Sequence, residues 1–159
     1  IDPNARPEMT RDKTGWQKRI EDILAIANII KISDEDLDYM HPGVSAQGFA
    51  ERSLSNTTEL VVVTTGKEGA RAFTKSGTAE ARPPTIEVAD TVGAGDALMG
   101  AMLSWLLDQC ADAETPIAGL NDEALMSLLT FGNTAAAINC TRIGAAPPTN
   151  AEILDWLSR

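Results

Sequence analysis

The chain has 159 residues, with 23 Asp and Glu against 13 Lys and Arg and a formal net charge of -10. That length holds one domain, residues 1–159, with a real core, and the acidic balance argues against nucleic acid or an anionic membrane surface as partner, since both require basic patches. No apolar run reaches the roughly 18 residues of a membrane-spanning helix and no charged-then-apolar opening reads as a secretory signal, so the expectation is a soluble, cytoplasmic protein.

The opening Ile1-Asp2-Pro3-Asn4-Ala5-Arg6-Pro7 carries no capping signal and reads as the end of a strand entering a loop. Trp16, Ile20, Ile23, Leu24 and Ala27 share one helical face, which predicts a helix over residues 13–27. Residues 28–32 read as a short buried strand. Ser33 then caps a second helix, with Asp36 completing a shortened capping box. A weak helix over 45–52 leads to the β-branched run at 59–65, a buried strand ended by Gly66. Gly66-Lys67-Glu68-Gly69 reads as a turn into a strand over 70–75, and a short extended segment over 85–88 follows. It is not a P-loop, because the Gly-x-x-x-x-Gly-Lys-Ser/Thr spacing occurs nowhere.

The next stretch, Asp90-Thr91-Val92-Gly93-Ala94-Gly95-Asp96, joins that extended segment to a helix with Leu98, Ala101, Met102, Trp105 and Leu106 at helical spacing. Gly93 and Gly95 permit a sharp turn and close approach of a ligand, while the start of a helix presents free amides and partial positive charge. This is an anion site with an acid-base residue, Asp96, beside it. The same residues also fit a plain turn with a carboxylate complementing the helix dipole. The helix is expected to end near Gln109, with a loop running on to Gly119. Asn121 caps a long helix, apolar over a wide face, whose small residues Gly132 and Ala135 to Ala137 allow close packing. Thr149-Asn150-Ala151-Glu152 is a capping box for the last helix. Cys110 and Cys140, the two cysteines, lie among apolar neighbours and are expected as reduced, buried thiols. His41 is the single histidine and reads as a loop residue. No metal-ligand spacing and no Ser/His/Asp set can be assembled. Strands separated by helices argue a parallel α/β layer with an antiparallel element near 70–88.

Asp90 to Asp96 resembles the C-terminal signature of the ribokinase-like (PfkB-type) carbohydrate kinases. A second family segment, similar to Cys140-Thr141-Arg142-Ile143-Gly144-Ala145, follows the long helix in the right order, and the likeness covers nearly the whole chain. Asp2-Pro3-Asn4-Ala5-Arg6 is similar to a segment of the fructokinase-like members. The resemblance implies an α/β ribokinase-like fold, the C-terminal portion of a mostly parallel sheet flanked by helices, with the N-terminal half and its lid absent. It implies ATP-dependent phosphorylation of a sugar hydroxyl, a fructose-type ketose first, by a full-length enzyme that can be a homodimer.

By the same resemblance Asp96 takes the proton from the acceptor hydroxyl, and the amides of Gly93, Ala94 and Gly95 form the hole for the transferring phosphoryl group. Thr65, Gly66, Gly69, Asn133 and Ala136 border the nucleotide, and Asn4 and Arg6 lie near substrate and phosphates. Asp90, Val92 and Gly144 hold a monovalent cation such as K+. Asp36 stands where the family carries a Glu that organises Mg2+, with Ser33 in place of its Asn, so the capping reading and the metal reading both stay open. ATP and Mg2+ are the implied cofactors. The alternatives are a non-catalytic nucleotide-binding module, or a kinase of the same type for ribose, a ketogluconate, a nucleoside or a sugar phosphate.

Overall fold

A four-stranded sheet with helices on both faces organises the chain, and the strand alternation dictates the layers. The structure, a computed structural model, describes residues 1–110 and 116–159. In chain order its elements are α1 Lys13–Leu24, β1 Ile29–Ser33, α2 Asp34–Met40, α3 Ala46–Leu54, β2 Leu60–Thr64, β3 Ala70–Phe73, β4 Thr78–Ala81, α4 Ala94–Gln109, α5 Asp122–Cys140 and α6 Asn150–Leu157. The caps are those written in the sequence. Ser33, Asn121 and Thr149 each accept a backbone N–H from the first turn of their helix, and Glu152 closes the box on Thr149.

The sheet runs β1-β2-β3-β4. β1 and β2 are parallel, with Ile29 opposite Leu60, and β3 and β4 join by antiparallel pairings, Val61 opposite Phe73 and Ala70 opposite Ala81. The antiparallel element expected over 70–88 therefore makes most of the pairings in this chain, and the parallel part is the β1/β2 pair. Ile1 lies along the outer edge of β1, its carbonyl accepting from the Lys31 amide at 2.9 Å.

Alternation then sorts the side chains. Ile30, Ile32, Val61 and Val63 face α1, α2 and α3, meeting Leu24, Leu37, Met40 and Phe49. Leu60, Val62, Ala70, Ala72, Ala79 and Ala81 face the other way, onto Leu98, Met102, Leu125, Leu128 and Leu129 of α4 and α5. The alanine row lets α5 sit close to the sheet. Gly132 does the same between helices, since a Cβ there would come within 2.9 Å of Met102 Cγ. α6 rests on this layer through Ile153, against Ala101, Phe131 and Ala135.

Several local expectations are corrected. α1 stops at Leu24 rather than residue 27, and Ile23, placed on its apolar face, is 45% exposed. The residue 33–36 capping box is not closed: Ser33 accepts from the Asp36 amide, but the Asp36 carboxylate turns to the Ala5 amide, 31 residues away. Residues 85–88 pair with no strand among the described residues, and β3 ends at Phe73. Cys110 and Cys140 are free thiols but only partly buried. Of the loop expected after Gln109, residues 111–115 lie outside the described residues.

Candidate active site

The loop from Asp90 into α4 is held by hydrogen bonds between its backbone and two side chains, Asp90 and Asn139, together with backbone pairs. Asp90 Oδ1 accepts from the Val92 amide at 3.1 Å and Oδ2 from the Gly144 amide at 2.8 Å. The Gly144 bond, followed by the Val92 bond, holds the Asp90 carboxyl below its ordinary range. Gly93 is the N-cap of α4 with φ +77°, and a Cβ on it would stand 2.8 Å from that of Ala145. Only glycine meets both demands.

From that turn the first amides of α4 project without partners. Ala94 donates to the Thr91 carbonyl at 3.2 Å, so its amide is engaged; those of Gly93, Gly95 and Asp96 meet no acceptor among the described residues. The free set thus shares Gly93 and Gly95 with the Gly93, Ala94, Gly95 set that the resemblance implies, with Asp96 in place of Ala94. Asp96 follows immediately, exposed, with neither hydrogen bond nor ion pair on its carboxylate among the described residues. An uncommitted carboxylate beside three free amides can accept a proton while the amides hold an anion.

Behind the loop stands Asn139, wholly buried on α5. Its Nδ2 donates to the Val92 carbonyl at 2.8 Å and its Oδ1 accepts from the Ala146 amide at 3.0 Å. The Cys140 carbonyl accepts from the amides of Ala89 and Asp90. The two motif segments recognised separately in the sequence are therefore one unit, stitched through the end of α5. Arg142, by contrast, points away to Glu152 and the Ala146 carbonyl.

Two cavities flank the first turn of α4. The larger, about 480 Å³, is lined by Gly66, Gly69, Pro84, Gly95, Asn133 and Ala136 among others. The smaller, about 300 Å³, is lined by Gly93, Asp96, Ala145, Pro147 and Asn150 among others. Four of the five residues expected near a nucleotide, Gly66, Gly69, Asn133 and Ala136, come together in the first cavity with Gly95. Thr65 does not line it; its hydroxyl and amide both close the turn onto the Gly69 carbonyl, and Thr64 lines the cavity instead. Asn133 is 3% exposed and donates to the Ala81 carbonyl, so it also ties α5 to β4.

The remaining candidates lie elsewhere. Asn4 and Arg6 are exposed and line neither cavity, and Asn4 holds a left-handed backbone, φ +45°. Asp36 Oδ1 accepts from the Ala5 amide at 3.1 Å, and burial pushes its carboxyl above the ordinary range. No group of three metal-ligating side chains occurs among the described residues. Sequence reasoning missed two residues of this neighbourhood, Asn139 and Lys31. A lone amide in the last apolar turn of α5, and a lysine inside a buried strand, were the signals.

An α/β domain with free amides at a helix start, an uncommitted carboxylate beside them and a cavity alongside has the features that suit a phosphate-bearing ligand. Residues 1–152 match the family described as pfkB family carbohydrate kinase, and the chain belongs to that family. It is 35% identical over 125 residues to a fructokinase of Rhizobium leguminosarum bv. trifolii, covering 79% of this chain and 38% of that protein. A crystal structure of a Xylella fastidiosa fructokinase with bound ATP superposes with a TM-score of 0.88 at 28% identity, over 99% of this chain and 50% of that one. A double-mutant fructokinase of Vibrio cholerae O395, in fructose, ADP and potassium ion bound form, superposes at 0.79 with 26% identity, over 98% and 49%. The chain spans about half the length of the curated relatives it matches. No helix among the described residues is long and apolar enough to cross a membrane.

Proposed function

We propose that the complete protein transfers the terminal phosphoryl group of ATP to a hydroxyl of a fructose-type ketose, with Asp96 as the base. The observation that supports this most is the uncommitted Asp96 carboxylate on the same helical turn as the free Gly93 and Gly95 amides. The fructokinases among its relatives, one with bound ATP and one with fructose, point to the same donor and acceptor.

Phosphoryl transfer passes through a loose transition state with charge on the equatorial oxygens, so positioned amide donors do most of the work. The Gly93, Gly95 and Asp96 amides are fixed by the Asn139 and Asp90 hydrogen bonds before substrate arrives and cost no reorganisation during the reaction. Asp96 needs to accept the proton only late, once the sugar oxygen bonds phosphorus and becomes acidic. The cavity between Gly66, Gly69 and Ala136 receives the nucleotide with its phosphates toward α4.

Magnesium binds phosphate oxygens and water with one or two carboxylates, and Asp36 is the carboxylate the resemblance offers, with one oxygen accepting from the Ala5 amide and the side chain lining neither cavity. When bound, the ion would neutralise the β- and γ-phosphates. A monovalent cation at Asp90 and the Val92 and Gly144 carbonyls, as the resemblance implies, would share oxygens that already accept from the Val92 and Gly144 amides and from Asn139.

A coupled ATP-consumption assay of the complete gene product against fructose, ribose, glucose, ketogluconate and nucleosides tests the reading. Fructose is expected to be turned over fastest, and no ATP consumption with any acceptor would refute it. Residues 1–159 taken alone are expected to bind nucleotide without phosphorylating sugar, because proximity to an acceptor site is what makes the transfer fast.

A further inference from the structure

β1 reads Ile29-Ile30-Lys31-Ile32-Ser33, and alternation sends Ile30 and Ile32 toward α1, α2 and α3. Position 31 therefore points to the α4 and α5 side, where its register partner Val62 is fully buried. A β-branched apolar residue would pack in that row; a lysine stands there, 5% exposed. Its Nζ donates to Asp2 Oδ2 at 2.7 Å and makes no other hydrogen bond among the described residues. The other carboxylate oxygen, Asp2 Oδ1, is buried with no partner. A Cβ on Gly95 would lie 3.0 Å from Lys31 Nζ, so the ammonium reaches the first turn of α4 through the space that glycine leaves open.

Stability does not account for this arrangement. A buried ion pair recovers its desolvation cost only when the remaining hydrogen-bond valences are met, and here they are open on both partners. A helix start already carries roughly half a positive charge, so a cation beneath it is repelled. An anion resting on the turn above would offset that repulsion and offer the ammonium the acceptors it lacks.

We propose that Lys31 is a positioning residue of the phosphate site: its ammonium, fixed by Asp2 beneath Gly95, supplies the charge that holds the terminal phosphate of a nucleotide on the free amides of α4. It acts through the glycine turn and does not line the cavity. This rests on the nucleotide-dependent reading above, and it adds a cationic element that the signature loop itself lacks.

Two substitutions separate charge from packing, because both break the ion pair while changing the net charge in opposite directions. In the complete gene product, with magnesium and no sugar, calorimetry compares affinity for ADP with affinity for the non-hydrolysable β,γ-imido analogue of ATP. Lys31→Met is expected to weaken the analogue about tenfold more than it weakens ADP. Asp2→Asn, which leaves the cation uncompensated, is expected to keep or raise the parent's preference for the analogue. A preference in Lys31→Met within about twofold of the parent's, or equal losses in both variants, overturns the inference. If Lys31→Met does not fold, Asp2→Asn decides alone: a weakened preference for the analogue overturns it, and an unchanged or stronger one supports it. The parent's activity on sugars is a separate readout. Nucleotide binding without sugar phosphorylation removes the kinase reading and leaves the Lys31 result standing; a parent that binds neither nucleotide overturns both.

Discussion

Asn139 on α5 donates to the carbonyl of Val92 at 2.8 Å, across 47 residues of chain, and so anchors the middle of the loop that precedes Asp96. With its oxygen on the Ala146 amide the side chain spends both ends of its amide on backbone, and it is wholly buried. Asn139→Leu leaves the Val92 carbonyl and the Ala146 N–H short of a partner, which costs about 1–3 kcal/mol for each group that water cannot reach. The expected outcome is a melting temperature lowered by about 2–4 °C for each kcal/mol, together with a fall in kcat. Thermal unfolding and steady-state kinetics on the same preparation check it. An unchanged kcat at lowered stability would show that the loop holds its shape without Asn139.

Asp96→Asn is nearly isosteric and keeps the amide set of the α4 turn, but it removes the proton acceptor. General-base catalysis is worth about 10²–10⁴-fold, so kcat is expected to fall by that order while nucleotide affinity stays near the parent value. Turnover at a large fraction of the parent's rate would remove Asp96 from the role of base. Calorimetric nucleotide binding, run beside the assay, distinguishes lost chemistry from a lost site.

The layers and caps were legible in the sequence because they are local. The β-branched run of β2, the apolar spacing of α4 and the Ser33, Asn121 and Thr149 caps each report on backbone only a few residues away. The signature loop was legible as well, because the left-handed φ of Gly93 is a demand made within one turn. What the sequence does not display is pairing across distance. Asn139 looks like any polar interruption of an apolar helix until Val92 and Ala146 close on it. Lys31 is a charge inside a strand read as buried, and nothing local shows that its partner is Asp2, 29 residues away, or that it reaches Gly95. Asp36 shows the same limit: its spacing from Ser33 spells a cap, yet the carboxylate is taken by the Ala5 amide, which no local pattern announces.

Gly93 must satisfy two separate constraints, the left-handed φ of +77° and the 2.8 Å that a Cβ would leave to Ala145. Gly93→Ala is expected to cost about 1–3 kcal/mol and to weaken nucleotide binding and turnover together, since the loop must shift. Adding Ala145→Gly removes the 2.8 Å Cβ contact and leaves the residue 145 Cα at 3.2 Å and the strained φ. The double variant should therefore recover part of the lost stability. Recovery of all of it would show that the backbone conformation is tolerated, and recovery of none that the contact is immaterial. Denaturant unfolding of the four proteins of this cycle measures the split.

Acid stability should report on Asp90. Its carboxyl titrates below the ordinary carboxylate range because the Gly144 amide, and after it the Val92 amide, bond the ionised form. The folded state thus releases this proton more readily than the unfolded chain, so the bonds contribute stability above the unfolded pKa, near 3.8. That contribution is lost as pH falls through the folded value. In Asp90→Asn the neutral side chain cannot titrate, and the expected stability-against-pH curve is flatter than the parent's below the unfolded pKa and lower than the parent's at neutral pH. Melting temperatures from pH 2 to pH 7, an interval set by that pKa and its downward shift, provide the comparison. Parallel curves for the two proteins would mean that the Asp90 bonds do not distinguish its protonation states. The same substitution keeps one acceptor for Gly144 or Val92, so a loop that stays ordered at neutral pH while the acid limb flattens would separate charge from hydrogen bonding as the origin of the effect.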